Sequence, residues 1–241
     1  MGAVFQLEHE VLYYEADTTG KLALPMMLNL AILASTKQSL ALGVGPDFNH
    51  AQGLGWVVLQ YDIDVTRRPA VGEIITVQTE AVKYNPFFAK RTFTLVDAQG
   101  AELIAIDSTF AMIDMNARRM ARLPKEQMGV YQAERVKQIE RMTDPTPLVN
   151  VDAQQAYKVR YLDIDSNQHV NNSKYFDWLF DVLSPEFVQT HEPLNIKIKF
   201  ENEVRLGEIV HSQVQMTDQR TLHRVMNDDT VAAEAEVVWR D

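Results

Sequence analysis

Cysteine is missing from all 241 residues. That absence excludes disulfides, thiolate-ligated zinc and a thiol nucleophile together. Apolar runs of membrane length are missing too. The longest, Leu22 to Ala34, is interrupted by Asn29 and followed by Lys37, short of the roughly 18 to 20 residues a span needs, and it reads as a buried helix. No basic segment leads into an apolar core at the N-terminus, and Gln6 stands where a myristoylation signal carries Ser or Thr, so a cytoplasmic protein without a membrane partner is expected. Positive charge is in deficit: 23 Lys plus Arg against 33 Asp plus Glu give a net charge of −10, which argues against nucleic acid or an anionic membrane as partner. An acidic partner would need a local basic patch, and Arg118, Arg119 and Arg122 offer one.

What is present concentrates in one loop, Tyr161 to Tyr175. Asp163, Asp165, Asn167 and His169 alternate along it, and an extended chain would send all four side chains to one side. Asn171 and Asn172 then supply candidate N-caps for a helix whose apolar stripe is Tyr175, Leu179, Val182 and Leu183, closed by Pro185. Unpaired N–H groups at such a helix start suit an anion or a developing oxyanion. A metal site built from Asp163, Asp165 and His169 is the alternative chemistry. The other histidines, at 9, 50, 191, 211 and 223, show no paired ligand spacing, and neither a metal nor a cofactor is expected.

The chain also repeats itself. Val11 to Gly20 aligns with Val159 to Gln168, pairing Tyr13 with Tyr161, Glu15 with Asp163 and Asp17 with Asp165; each segment leads into a helix. An alternating strand follows in each half, Val57 to Val65 and Ile196 to Phe200, and then Val71-Gly-Glu-Ile74 matches Leu206-Gly-Glu-Ile209. With later strands at Phe88 to Val96, Glu102 to Ile113, Leu222 to Met226 and Val231 to Trp239, this predicts an α+β protein. Its two units, 1–122 and 153–241, each pack a helix of roughly 15 to 20 residues on an antiparallel sheet. The charged, Pro-containing stretch 123–152 is their linker, with a short helix expected between Lys125 and Arg141. The first copy has Thr19 opposite Asn167 and Lys21 opposite His169, so chemistry is expected only in the second. The Met- and Leu-rich helix of the first copy suits a flexible apolar ligand or a plain core.

The stretch Leu162-Asp-Ile-Asp-Ser-Asn-Gln-His-Val-Asn-Asn-Ser-Lys-Tyr175, the opening Tyr13-Tyr-Glu-Ala-Asp17 and the repeat together resemble the acyl-acyl carrier protein thioesterases. The resemblance implies two tandem hot-dog domains, each an antiparallel sheet wrapped around a long central helix, the first acyl-binding and catalytically degenerate. It implies hydrolysis of the thioester between a fatty acyl chain and the phosphopantetheine arm of acyl carrier protein by activated water, releasing free fatty acid. Asp165, Asn167 and His169 match the family's catalytic loop, and Glu203, in Phe200-Glu-Asn-Glu203 ahead of Gly207, matches its acidic partner, with Glu201 as second choice. Arg68 holds the corresponding place before Gly72. Strand alternation alone puts Glu203 on the face of Lys197 and Lys199, opposite Ile196, Ile198 and Phe200, so only a bulge or groove there makes it a site residue. An acyl-CoA thioesterase and a non-catalytic acyl-binding protein remain alternatives, and pairing of the chain as a homodimer stays open.

Overall fold

The computed structural model describes residues 2–165 and 168–240. The first half runs β1 (Val4–Glu10), a 3₁₀ turn (Tyr13–Glu15), α1 (Leu24–Ala41), α2 (Pro46–His50), β2 (Leu54–Val65), β3 (Ile74–Tyr84), β4 (Phe88–Val96) and β5 (Glu102–Asp114). Short elements β6 (Arg119–Ala121), α3 (Lys125–Val130) and β7 (Glu134–Arg135) follow. The second half runs β8 (Ala153–Lys158), a 3₁₀ turn (Tyr161–Asp163), α4 (Asn172–Asp181), α5 (Pro185–Thr190), β9 (Glu192–Phe200), β10 (Ile209–Thr217), β11 (Arg220–Asn227) and β12 (Thr230–Arg240).

Ten strands form one continuous path, β1-β3-β4-β5-β2-β9-β12-β11-β10-β8, with β6 paired to β5 and β7 to β3 off that path. The first five come from one half and the last five from the other in mirrored order. The halves join where β2 and β9 pair antiparallel, Gln60 with Lys199 through Asp64 with Asn195. The join removes one exposed edge from each five-strand sheet. Both long helices cover the same face, α1 against β1 and β3, α4 against β10 and β11, and they pack against each other. One apolar cluster runs through both halves, including Leu28, Tyr61 and Phe93 from the first and Phe176, Ile198 and Val225 from the second. Each such side chain contributes roughly 1.5–3 kcal/mol on burial, so the halves share a core.

Several expectations are corrected by packing. The second helix is shorter than expected, 10 residues against 18 in α1. It stops at Asp181, and Pro185 does not close it: Pro185 opens α5, where Ser184 Oγ accepts from the Phe187 N–H at 3.2 Å. The helix expected between Lys125 and Arg141 is only Lys125–Val130. Beyond it Gln132 takes a left-handed φ of 56°, and the chain is held by polar contacts such as Gln60 Nε2 to the Thr143 carbonyl at 2.7 Å. The alternation expected from Val57 to Val65 breaks at a bulge between Val58 and Gln60, so Val58, Tyr61, Ile63 and Val65 are its buried apolar residues.

No described helix is long and apolar enough to cross a membrane.

Candidate active site

The two aligned loops fold alike. Glu15 Oε2 accepts from the Leu12 N–H at 2.9 Å, and Asp163 Oδ2 accepts from the Arg160 N–H at 2.8 Å, so each carboxylate caps its own 3₁₀ turn. Asp163 is 1% exposed and also takes the Arg160 guanidinium, Nη2 to Oδ1 at 2.9 Å. It does not share a face with Asp165 and His169, because the turn breaks the extended conformation that alternation assumed. No group of three His, Asp or Glu side chains able to hold a metal ion occurs among the described residues.

After the turn the chain doubles back. The Asp165 N–H donates to the His169 carbonyl at 2.8 Å, the Gln168 N–H to the Asp165 carbonyl at 3.0 Å, and Ile164 bridges Val170. Gln168 sits at φ 65°, the place Gly20 fills at φ 73° in the first loop. Ala16 likewise bridges Leu22, and Asp17 donates to Lys21. Asn167 lies outside the described residues. Asn171 Oδ1 accepts from the Ser173 N–H at 2.9 Å, which starts α4 at Asn172 directly after the loop.

Glu203 reaches this loop because β9 ends irregularly. Consecutive N–H groups of Glu201 and Asn202 both point at the Ala232 carbonyl, at 2.9 and 3.3 Å, and Asn202 Nδ2 donates to the Val231 carbonyl at 2.8 Å. Alternation therefore fails beyond Phe200. Glu203 Oε1 lies 3.1 Å from His169 Nε2, while Glu201 Oε1 is taken by Lys199 Nζ at 2.8 Å. Of the two acids, the geometry pairs Glu203 with the imidazole.

Arg118 is the participant that sequence reasoning assigned elsewhere. It ends the turn after β5, where Asp114 Oδ1 accepts from the N–H groups of Asn116 and Ala117 at 3.0 and 2.8 Å, and it adopts φ 50°. From there its Nη2 donates to Glu203 Oε2. The turn is legible in Asp114-x-Asn116; its partner, 85 residues away, is not. Burial lowers the His169 pKa below the ordinary 6.5, with Arg118 and Arg205 adding to the effect and Asp165 opposing it. The imidazole is thus mainly neutral at neutral pH.

These groups open onto a cavity of about 720 Å³, in the range of small-ligand sites. Asp165, His169, Asn172 and Glu203 line one end; Leu28, Ile32 and Leu33 of α1 line its length. This explains a helix apolar nearly all round: one face packs on the sheet, and exposed Ile32 and Leu33 face the cavity. Tyr61, Phe200 and Tyr175 form an aromatic wall, with edge contacts at 6.2 and 5.1 Å between ring centres.

Comparison with known proteins places both halves. Residues 2–131 match the family described as the acyl-ACP thioesterase N-terminal domain, and residues 148–241 match the C-terminal domain. A chloroplastic acyl-[acyl-carrier-protein] hydrolase of Cuphea viscosissima is 26% identical over 231 residues, covering 89% of this chain and 55% of its own. The chain thus spans about half the length of the curated relatives it matches. A Lactobacillus plantarum crystal structure, provisionally described as an oleoyl thioesterase, superposes with a TM-score of 0.96 at 37% identity, over 99% of this chain and 96% of its own. The 12:0-ACP thioesterase of Umbellularia californica shares the fold, with a TM-score of 0.83 at 21% identity over 98% and 97% of the two chains.

Proposed function

Because the chain belongs to the acyl-ACP thioesterase family and has its tandem hot-dog fold, we propose that it hydrolyses fatty acyl-acyl carrier protein to free fatty acid, with the proton-transferring groups in the second unit. The observation that carries this reading is His169 Nε2 at 3.1 Å from Glu203 Oε1, at the mouth of a long apolar-walled cavity. In the proposed step neutral His169 takes a proton from water as the water oxygen bonds to the thioester carbonyl carbon. Glu203 stabilises the imidazolium that forms. As the carbon–sulfur bond breaks, His169 returns the proton to the pantetheine sulfur. The N–H of Asn172, which opens α4 and lines the cavity, is the donor offered to the carbonyl oxygen, and Asn167 adds its amide there by family resemblance. Asp165 orients the imidazole. The first unit holds the acyl chain along α1.

Arg119 and Arg205, both exposed, lie next in sequence to Arg118, which binds Glu203, and to Val204, which lines the cavity, and an acidic carrier would dock on them. The test offers purified protein a mixed pool of acyl carrier protein thioesters beside matched acyl-CoA esters, with released acids identified by mass. Preferential release from the carrier supports the proposal. Equal or better turnover of CoA esters makes it an acyl-CoA thioesterase, and no release from either makes it a binding protein.

A further inference from the structure

The cavity lining includes a buried cation that pairs with no carboxylate among the described residues. Arg91 is 9% exposed and lines the cavity. Its Nη1 donates to Gln38 Oε1 at 2.6 Å and to Thr79 Oγ1 at 2.9 Å, and its guanidinium lies 5.1 Å from the centre of the Tyr131 ring. The Tyr131 hydroxyl in turn meets Ser39 Oγ at 2.8 Å. Among the described residues no carboxylate pairs with Arg91, and its Nε and Nη2 have no hydrogen-bond partner. Burial draws its pKa down to about 10, which leaves it charged at neutral pH.

The sheet register fixes where this cation lies. Arg91 stands opposite Ser108, Ser108 opposite Tyr61, and Tyr61 opposite Ile198. Directly opposed residues share a face, so this row crosses the inner surface from β4 to β9, three strand spacings or roughly 14 Å. Glu203 follows the end of β9; Arg91 is at the other end. A cavity built only to hold a hydrocarbon tail would be expected to have apolar lining there, because a buried charge without a counter-ion is unfavourable. Here it has spare N–H donors.

We propose that Arg91, with Ser39 and Tyr131, forms a distal polar subsite that accepts an oxygen function, hydroxyl or carboxylate, carried near the far end of the acyl chain. This rests on the acyl-cleaving reading above for the identity of the chain. The guanidinium supplies charge-assisted donors, and the aliphatic length between the two ends selects the carbon number at which the oxygen meets them.

Binding of free acids to the intact protein, by calorimetry, tests this without requiring turnover. Unsubstituted and ω-hydroxy acids of matched length are titrated across a chain-length series. A preference of about tenfold or more for the ω-hydroxy acid, peaking at one length, lost in Arg91→Met and partly kept in Arg91→Lys, is the expected result. Equal affinities in the unaltered protein at every length overturn it, whether or not the variants fold. So does a preference that survives in Arg91→Met. If the preference is found but no acyl thioester is cleaved, the hydrolase reading fails and the subsite stands.

Discussion

Two loops of one backbone design have opposite contents. In the second, His169 faces Glu203 over an open cavity, with Arg118 reaching across from the first half. In the first, Lys21 and Arg68 hold the corresponding places and are taken up in ion pairs. Arg68, its side chain 3% exposed, binds Asp17 and grips Glu192 through Nε at 2.9 Å and Nη2 at 3.0 Å, while Lys21 Nζ meets Glu192 at 2.7 Å. Glu192 begins β9, so an acid of the second half neutralises cations of the first. The comparison shows one scaffold used once to leave reactive groups partly exposed and once to consume them in ion pairs that fasten the halves.

The largest expected effect separates the loops by chemistry. His169→Ala or Glu203→Ala should lower kcat on an acyl carrier protein thioester by about a hundredfold, whereas Lys21→Ala should change it by no more than about twofold. Parity between the His169 and Lys21 variants would end the distinction. Stability should divide the other way: Arg68→Ala removes the buried guanidinium that Asp17 and Glu192 share, leaving Glu192 only Lys21, and should lose about 3 kcal/mol in denaturant unfolding. Arg118→Ala, at an exposed residue, should barely move stability but reduce kcat about tenfold, the usual scale for a group that orients a reacting one.

Acid should also separate them. Burial raises the Asp17 and Glu192 carboxyls, but hydrogen bonds and charge from Arg68 outweigh it and hold both below their ordinary 3.8 and 4.5. Their stabilising contribution is therefore present at neutral pH and disappears only as pH falls below those ordinary values. Activity is expected to fail earlier, as His169 protonates below 6.5. In Arg118→Ala the limb of the kcat/KM profile set by His169 should move to higher pH, since a cation that disfavours imidazolium is gone; an unmoved limb would remove Arg118 from the site. The smallest pair is conformational. Gly20→Ala, with open space but φ 73°, should cost about 1 kcal/mol in thermal unfolding, and Gln168→Gly should be neutral or slightly stabilising.

The alignment of Tyr13, Glu15 and Asp17 with Tyr161, Asp163 and Asp165 was legible because a repeated turn needs the same caps. That logic also exposes the misreading of Asp163: the position shared with Glu15 is the structural one, while His169, which replaces Lys21, is in the site. Glu203 was legible only through family resemblance, because strand alternation places it on the solvent face and the irregular end of β9 depends on a carbonyl from β12. Arg118 was read as part of a docking patch for want of any local sign of its partner.

Chain composition and local pattern alone determined the α+β class, the duplication, the absence of thiol chemistry and the loop that starts α4, since caps, turns and apolar periods act over a few residues. Tertiary structure alone decided which carboxylate meets the imidazole, that an arginine of the first half joins them, that the corresponding cations of the sister copy are taken up in ion pairs, and what lines the cavity. Those contacts join positions distant in sequence, and they are fixed by strand register and shared burial, which no short segment encodes.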